Sequence, residues 1–289
     1  MERKRKHRKK YLIPAAVIAI LAVFVYCQNN LIQISHYTYQ SEKIGDELTG
    51  TKIVQISDLH SKMFGKNGGK LIEKVEKEAP DYIFLTGDFI DQNKTEMNEE
   101  FVKKIVTLCP VYYVTGNHEE GMGVEKCAEF TEKLSSLGVI VLSGDAVSLK
   151  NNCHIIGVSD EQINSEQSKI AESIAKIKSD KKISPDNLSI LLAHEPQLFD
   201  AYVEADVDLV FSGHAHGGQF RVPFFDIGLV APGQGLFPKY TAGEYKQDNT
   251  TMYVSRGLGN SIIPVRIFNQ PELVVVELQK KSLDKSIGE

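Results

Sequence analysis

The 289-residue chain is poor in cysteine and lacks the cysteine spacings that bind metals or build disulfide frameworks. It has four cysteines, and none forms a Cys-x-x-Cys pair: Cys27, Cys109, Cys127 and Cys153. The sequence therefore disfavours a disulfide-stapled scaffold and a cysteine zinc site, and we interpret the thiols as core residues. The sequence also has no internal repeat, which excludes a repeat architecture.

Positive charge is scarce beyond the first ten residues. These ten (MERKRKHRKK) carry a net charge of +6, whereas the whole chain carries −5, so the remainder carries −11. A body this acidic lacks the cations that replace phosphate counterions in nucleic-acid complexes, and we expect no nucleic-acid partner. The length and an apolar content of 42% allow one large domain or two small ones.

An uncharged run at residues 11–27 (YLIPAAVIAILAVFVYC) predicts a single transmembrane helix. At about 1.5 Å per residue it is slightly shorter than a hydrocarbon core of roughly 30 Å, but flanking lysines, Tyr11 and Tyr26 suit the two interfaces. The alternative is a cleaved signal peptide, which would need an Ala-x-Ala-like site that this stretch lacks. The basic head predicts a cytoplasmic N-terminus, hence a single-pass protein of the cell membrane with its body outside the cytoplasm.

Short apolar runs that end in polar residues recur from Thr51 onward and predict strands: KIVQIS, YIFLT, VYYVT, SILLA and DLVFS. Segments with helical spacing of apolar residues lie between several of them, and this alternation predicts an α/β sheet covered by helices. The later part is strand-rich and predicts a second sheet: VSLK, CHIIGV, MYVS and ELVVVELQ. We therefore expect two stacked β-sheets with helices outside.

These patterns also predict the domain organisation. We expect a basic cytoplasmic head (1–10), a transmembrane anchor (11–27), a linker or edge strand (28–45), one globular domain (46–280) and a tail (281–289).

Carboxylate, amide and imidazole side chains follow five of the predicted strands. They are Asp58, His60, Asp88, Asn117, His118, His194, His214 and His216. Taken singly, each one is better explained as a turn, a cap or a buried core residue. Because ligands of open α/β sheets bind at the carboxyl ends of strands, five such ends together favour one shared site.

The residue types indicate a metal centre. Carboxylates and imidazoles without thiolates favour Mn²⁺, Fe or Zn²⁺ in catalytic use. The ligands are too many for one four-coordinate ion with an open position, so we predict two ions about 3.5–4 Å apart. Asp88 is then the natural bridging carboxylate. The glycines at 213, 217 and 218 let the loop bend, so that His214 and His216 face different ions.

The motifs DLH, GDFID, GNHE, His194 and GHAH resemble, in order and spacing, the five blocks of the calcineurin-like metallophosphoesterase superfamily. The resemblance extends over roughly residues 50–280. Three further stretches are similar to its membrane-anchored bacterial YkuE/YaeI-type branch: SGHAHGGQ, SRGLGNS and PVRIFNQPEL. The resemblance implies a four-layer αββα sandwich in which two mixed β-sheets are flanked by helices.

The same resemblance implies two metal ions that share Asp88. The first would be held by Asp58, His60, Asp88 and His216. The second would be held by Asp88, Asn117, His194 and His214. A hydroxide between the ions would attack phosphorus, and His118 would protonate the leaving oxygen or stabilise its charge. Glu119 is a candidate for orienting an imidazole from behind, and Asp91 is a second such carboxylate, although a turn or solvated role is equally open for both.

The sequence departs from the protein-phosphatase members of this superfamily at two positions. Gln92 follows GDFID where those enzymes have an arginine that grips phosphate, and Ser61 stands where they have glycine. Both departures argue against a protein phosphatase. Arg256 and Arg266 are candidate replacement phosphate contacts, and a structural salt bridge is the alternative for each.

The predicted function is hydrolysis of phosphate diesters or pyrophosphates by a monomer that depends on two divalent ions. The predicted anchor makes phosphorylated envelope lipids and nucleotides candidate substrates. The alternative is a membrane-tethered binding or sensing module with an inactive metal site, which the intact Asp88 and His118 disfavour. Metal-dependent hydrolysis of an amide or lactam is disfavoured, because the sequence lacks a His-x-His-x-Asp-His motif.

Overall fold

The computed structural model describes residues 2–150, 152–159, 167–225, 227–260 and 264–281. Two six-stranded mixed sheets form the centre of the molecule. The first has the strand order β1 (Gln33–Ser41), β16 (Glu272–Lys280), β2 (Lys52–Ile56), β3 (Tyr82–Thr86), β4 (Val111–Val114) and β5 (Ile140–Val141). Neighbouring strands from β2 to β5 are parallel, and β16 is antiparallel to β2.

The second sheet has the strand order β14 (Gly243–Gln247), β15 (Thr250–Val254), β9 (Leu209–Ser212), β8 (Leu188–Leu192), β7 (Cys153–Gly157) and β6 (Asp145–Lys150). Its four central strands are parallel, and an antiparallel strand closes each edge. The residues of β8 and β9 are all buried, as expected for strands covered on both faces.

The helices of the described residues are α1 (Glu2–Asn30), α2 (Gly69–Glu78), α3 (Glu99–Ile105), α4 (Asn117–Glu120), α5 (Val124–Ser136), α6 (Gln167–Asp180) and α7 (Phe199–Glu204). Local sequence fixes their ends; for α3, the Asn98 side chain caps the helix by accepting a hydrogen bond from the Phe101 amide. Glu99 and Glu100 in its first turn complement the helix dipole.

Three buried clusters separate four layers. One lies between the first sheet and α2, α3 and α5. A second lies between the other sheet and helices α6 and α7. The third lies between the two sheets and is centred on aromatic side chains such as Phe84, Phe211 and Tyr253. The predicted αββα sandwich is confirmed.

The assignment of ELVVVELQ to the second sheet was wrong. Those residues form β16, which lies in the first sheet between β1 and β2. Its first five residues are buried, because Leu273 and Val275 face the cluster beneath the helices and Val274 and Val276 face the cluster between the sheets. Chain order alone does not reveal that the last strand returns to the first sheet.

Helix α1 precedes β1, which lies at the edge of the first sheet. Within the described residues, the stretch Leu12–Asn30 is long and apolar enough to cross a membrane, with a mean hydropathy of 2.0, and a signal sequence would meet the same criterion. The end of the helix contacts the domain, where Asn29 Oδ1 accepts a hydrogen bond from the Arg266 amide at 3.0 Å. The anchor and domain boundaries expected from the sequence stay predictions.

Two short hairpins lie between β9 and β14. The first pairs β10 (Arg221–Val222) with β11 (Ile227–Gly228), and the second pairs β12 (Val230–Ala231) with β13 (Gly235–Leu236). A segment of the chain near its end is joined to the first hairpin through a bridge between Phe220 and Ile267.

Candidate metal centre

The carboxyl ends of parallel strands place the predicted ligands next to one another. Asp58 and Asp88 follow β2 and β3 by two residues, and Asn117 follows β4 by three. His194 and His214 follow β8 and β9 by two residues in the opposite sheet. Because both sheets direct these ends to the same side of the sandwich, one site receives ligands from both.

Hydrogen bonds between the sheets fix this arrangement. The Gln55 side chain donates to the Ser212 carbonyl and to Thr86 Oγ1, each at 2.9 Å. The His214 amide donates to Asp58 Oδ1 at 2.9 Å. These hydrogen bonds hold the two strand ends that carry Asp58 and His214 in contact.

One group of side chains could hold the first cation. It consists of Asp58, His60, Asp88 and His216, which offer ligand atoms within 4.8 Å of one another. His60 Nε2 lies 3.1 Å from His216 Nε2 and 3.6 Å from Asp88 Oδ2, and His216 Nε2 lies 3.4 Å from Asp58 Oδ1. Ligand atoms that share one ion at about 2.0–2.2 Å stand about 3.0–3.4 Å apart, so the group fits a cation.

A second group could hold the other cation. It consists of Asp88, His194 and His214, again within 4.8 Å. His194 Nε2 lies 3.2 Å from Asp88 Oδ2, and Asn117 Oδ1 joins the group at 2.8 Å from His214 Nδ1. Asp88 thus belongs to both groups, as a bridging carboxylate must.

The tautomer of His194 is set by the backbone. Its Nδ1 lies 2.7 Å from the Thr86 carbonyl oxygen, which can only accept, so Nδ1 carries the proton. Nε2 then presents a lone pair toward Asp88. A carbonyl that orients a ligating imidazole from behind is a recurrent feature of metal sites.

The ligand residues have unusual backbone conformations. Five of them have a positive φ: Asp58 (50°), His60 (47°), Asp88 (50°), His214 (64°) and His216 (47°). For residues with a side chain this conformation costs about 1–3 kcal/mol each and persists where the surroundings enforce it, which is typical of functional sites.

Two glycines leave the space that the side chains occupy. A Cβ atom at Gly213 would lie 1.9 Å from Ser57 Oγ and 2.4 Å from Asp58 Oδ2. A Cβ atom at Gly87 would lie 2.4 Å from His194 Nδ1, and its φ of 84° also favours glycine. The absence of side chains at these positions lets the two sheets approach closely enough to share ligands.

Burial keeps the imidazoles in the form that binds cations. It lowers the pKa of His60 to about 4 and that of His214 to about 3, and it lowers the pKa of His216 well below its usual value. These rings are therefore neutral near pH 7. His60 Nδ1 is buried and has no hydrogen-bond partner among the described residues. Neutral imidazoles and buried carboxylates together form a donor set that fits divalent metals.

His118 lies beside the two groups. Its Nε2 is 4.0 Å from Asp88 Oδ2, and its ring contacts the His60 ring edge-to-face at 4.5 Å between centroids. Asp91 Oδ2 lies 3.6 Å from His118 Nδ1 and 4.0 Å from His60 Nδ1. Asp91 is half-buried and faces both imidazoles, so it is positioned to orient them.

Glu119 is buried. The sequence suggested that it orients an imidazole, but its carboxylate faces the backbone instead. Its carboxylate accepts hydrogen bonds from three backbone amides, those of Asp88 and Gly116 through Oε2 and that of Ile90 through Oε1. These bonds tie the loop after β3 to the loop after β4. Glu119 therefore supports the backbone that presents Asp88.

The two arginines considered as phosphate contacts are engaged elsewhere. Arg256 forms a salt bridge with Glu272 at 3.0 Å. Arg266 is fully buried and donates to the Gly259 carbonyl, and its Nη2 lies 3.4 Å from His216 Nδ1. Arg256 therefore forms the structural salt bridge that was the alternative to a phosphate contact. Arg266 supports the loop that carries His216.

Several supporting residues had no role assigned to them from the sequence patterns. Ser57 donates to Asp58 Oδ2 at 2.6 Å, and the buried Asn269 donates to the carbonyl oxygens of His216 and Gln219. Asn269 is more than fifty residues from His216 in the sequence. Spacing rules identify neighbours along one element, so a contact of this kind is visible only after folding.

The chain is similar to known phosphoesterases. Residues 51–218 match the family described as calcineurin-like phosphoesterase. The uncharacterized metallophosphoesterase YkuE of Bacillus subtilis is 30% identical over 265 residues, which cover 88% of each chain. The UDP-2,3-diacylglucosamine pyrophosphatase LpxG of Chlamydia muridarum is 24% identical and covers 91% of this chain and 95% of its own. Among solved structures, a dimetal phosphatase from Danio rerio covers 73% of this chain and 88% of its own with a TM-score of 0.49 and 11% identity.

Proposed function

Because the chain belongs to the calcineurin-like phosphoesterase family, we propose that it hydrolyses phosphate diesters or pyrophosphates with two divalent cations. The observation that carries this proposal is the position of Asp88 in both groups of candidate ligands. We propose Asp58, His60, Asp88 and His216 as ligands of one cation. We propose Asp88, Asn117, His194 and His214 as ligands of the other.

Two cations bound there would lower the pKa of coordinated water and stabilise charge on the phosphoryl oxygens. The residues of the chain prepare the site for this role. The neutral imidazoles donate lone pairs without first losing a proton, and the His194 tautomer is already fixed by the Thr86 carbonyl. The fold therefore arranges the proposed ligands before a substrate binds.

His118 is the proposed proton donor to the leaving oxygen. It is 8% exposed and lies 4.0 Å from Asp88 Oδ2, so it borders the proposed metal sites without being part of either. Asp91 Oδ2 lies 3.6 Å from His118 Nδ1, which also accepts a hydrogen bond from the Gln92 amide at 3.5 Å, and these two contacts position the ring. A positioned acid of this kind matters most for a leaving group that is too basic to depart unassisted.

The charges around the site favour diesters and pyrophosphates over monoesters. A monoester dianion needs additional cationic groups, and arginine is the usual one. Arg256 and Arg266 are paired with Glu272 and with backbone carbonyls, and position 92 is glutamine. The two cations then remain the main source of positive charge, which suits a substrate with one charge at the reacting phosphorus.

We further propose that α1 is retained as a single membrane span, with its basic N-terminus in the cytoplasm and the domain outside. The apolar stretch Leu12–Asn30 and the basic residues before it support this orientation. The name of the relative LpxG describes a pyrophosphatase of UDP-2,3-diacylglucosamine. This likeness and the span support a lipid-linked or nucleotide pyrophosphate as substrate.

Turnover of model substrates by the purified full-length chain tests the proposal. Bis-p-nitrophenyl phosphate should be hydrolysed in the presence of Mn²⁺, Fe²⁺ or Zn²⁺ and should not be hydrolysed after treatment with a chelator. Rates on p-nitrophenyl phosphate, a monoester, should be lower. A chain that binds two cations but hydrolyses neither these esters nor a panel of lipid and nucleotide pyrophosphates would instead be a tethered binding or sensing module.

A further inference from the structure

Five large apolar side chains are exposed on the loops that follow the metal centre and on the segment that contacts α1. Their exposed fractions range from 48% to 102%, and they are Phe224, Phe225, Leu236, Phe237 and Phe268. We call this set the aromatic surface. Single exposed apolar residues are ordinary, but several on connected loops mark a surface that contacts a partner or a membrane.

The backbone adds a second observation at the same residues. Phe224, Phe237 and Phe268 have φ values of 72°, 52° and 53°. A positive φ is unfavourable for a bulky residue, and exposure of a phenyl ring to water is unfavourable as well. Within the domain neither cost is offset at Phe224 and Phe237, whose side chains are largely exposed. Strain that persists at exposed residues indicates a function outside the domain core.

Hydrogen bonds join the loops that carry the aromatic surface. The Arg221 amide donates to the Ile267 carbonyl at 3.1 Å, which places the residue before Phe268 against the first hairpin. The Leu229 amide donates to the Phe220 carbonyl at 2.9 Å, and the Phe237 amide donates to the Leu229 carbonyl at 3.0 Å. The exposed side chains are thus carried by one connected set of backbone segments.

The aromatic surface continues onto α1. The Phe24 ring packs edge-on against the Phe268 ring at 5.3 Å between centroids. The Gln28 side chain accepts a hydrogen bond from the Asn269 amide at 3.0 Å. Phe24 lies six residues before the end of the helix, which is about 9 Å along its axis. Phe268 therefore lies beside the apolar part of the candidate span rather than beyond its end.

We propose that the aromatic surface enters the lipid bilayer that α1 crosses and holds the metal centre against the membrane surface. The proposal rests on the proposed role of α1 as a membrane span. Phenylalanine and leucine side chains on a membrane-facing surface are stabilised when they leave water and enter the boundary between headgroups and acyl chains. The same segment reaches the centre, since Asn269 donates to the His216 carbonyl at 2.7 Å and Arg266 Nη2 lies 3.4 Å from His216 Nδ1.

This arrangement predicts a class of substrate. The phosphoryl group of an amphiphile could reach the centre while its apolar chain stays in the bilayer. Hydrolysis of a water-soluble substrate would not benefit from contact between the aromatic surface and the membrane. The aromatic surface therefore deepens the proposed function toward lipid-linked phosphates.

Tryptophan fluorescence tests the proposal directly, because the chain contains no tryptophan. Phe224→Trp and Phe237→Trp would be made separately in the full-length protein. Each would be reconstituted into phosphatidylglycerol and phosphatidylcholine vesicles, with and without bromine on the phosphatidylcholine acyl chains. The tryptophan emission of each variant should lie at shorter wavelength than that of tryptophan in water, and brominated lipid should quench most of this fluorescence. Near-native circular dichroism would show that the variants fold.

Two further variants make the result interpretable. Ile140 lies on β5, at the edge of the first sheet opposite β1. The fluorescence of Ile140→Trp should be quenched by aqueous acrylamide but not by brominated lipid. Leu21→Trp lies within the candidate span and should be quenched by brominated lipid. If Leu21→Trp is quenched while positions 224 and 237 behave as in water, the aromatic surface does not enter the bilayer and the proposal is overturned.

The remaining outcomes also separate the explanations. A shift to shorter wavelength at 224 and 237 without quenching by brominated lipid would identify a protein partner or a second copy of the chain, which overturns the lipid assignment. Failure of brominated lipid to quench Leu21→Trp would overturn the proposed span itself. Neither of these results depends on hydrolysis, so they are independent of the proposed phosphoesterase activity.

Discussion

At the scale of single residues, Asp88 is the side chain on which the candidate centre depends. It is 1% exposed, its backbone has a positive φ, and its Oδ2 faces three imidazoles. The amide of His118 donates to its Oδ1 at 2.9 Å. Asp88 is shared by the group with Asp58, His60 and His216 and the group with His194 and His214, whereas His60 also lies in a third group with Asp91 and His118.

Asp88→Asn and Asp58→Asn should therefore differ in the number of cations lost. We expect Asp88→Asn to lose both cations and turnover, because a neutral amide bridges two cations poorly. Asp58→Asn should lose the cation of the first group and retain most of the other. Elemental analysis of the metal content per folded chain measures the difference. Retention of two cations by Asp88→Asn would contradict a shared ligand.

His118 should separate chemistry from metal binding. His118→Asn should keep its metal content and lose about 10²–10⁴-fold in kcat on an alkyl phosphodiester, whose leaving group needs a proton. The loss on bis-p-nitrophenyl phosphate should be much smaller, because p-nitrophenolate leaves without one. His36→Asn is a matched control, since His36 is exposed, lies on the edge strand β1 and pairs with Glu78 rather than with a candidate ligand. Equal losses on both substrates would show that His118 is not the proton donor.

At the scale of elements, the central strands of both sheets could be predicted from the sequence. The runs KIVQIS, YIFLT, VYYVT, SILLA and DLVFS lie on β2, β3, β4, β8 and β9 to within a few residues. Continuous apolar and β-branched runs have few alternatives to a buried parallel strand. Turn residues mark where each run ends, and those ends are where the candidate ligands lie.

The position of β16 and the supporting contacts could not be predicted in the same way. Which sheet takes the last strand depends on long-range pairing, and the register of Val275 against Val54 has no local signal. The role of Glu119 was missed for a related reason. A carboxylate next to a histidine suggests an imidazole partner, but the folded loops direct three backbone amides toward it.

Glu119→Gln tests whether this carboxylate holds the two loops together. An amide has one acceptor oxygen and would direct an NH₂ group at a backbone N–H, so we expect a loss of about 1–3 kcal/mol in unfolding free energy. Metal affinity should fall by about 10–100-fold, as for other residues that support ligands. Chemical denaturation and metal titration measure the two effects.

Glu120→Gln is the matched control for this change. Glu120 is adjacent in sequence and half-buried, and it accepts a hydrogen bond from Thr115 Oγ1 at 2.7 Å. We expect little change in stability or in metal affinity. If the two variants behave alike, the loop contacts of Glu119 do not support the centre.

At the scale of the whole molecule, the centre joins the two sheets. Asp58, Asp88 and Asn117 follow strands of the first sheet, whereas His194 and His214 follow strands of the second. A cation bound to both sets would hold the sheets together and would have no equivalent site in the unfolded chain. Binding should therefore stabilise the entire sandwich rather than one loop.

Thermal unfolding should show this stabilisation. At a cation concentration one hundred times the dissociation constant, each site should add about 2.7 kcal/mol to the unfolding free energy. Mn²⁺ should raise the Tm of the wild-type chain, and a chelator should reverse the increase. Asp88→Asn should show almost no response. An unchanged Tm in the wild-type chain, with two cations shown to be bound, would mean that the sheets do not share them.

The charge pattern of the whole chain also predicts its orientation in a membrane. The first ten residues carry +6, and a cluster of this sign stays on the cytoplasmic side of a span. The domain should then be open to protease added outside intact cells, which can cut at exposed sites such as Lys94. Immunoblotting should show loss of the domain, while an epitope fused to the N-terminus stays in the membrane fraction.

A domain that is protected in intact cells and cut after lysis would lie in the cytoplasm. Loss of the N-terminal epitope before protease treatment would instead indicate a cleaved signal peptide, and the contact between Phe24 and Phe268 would then be absent from the mature protein.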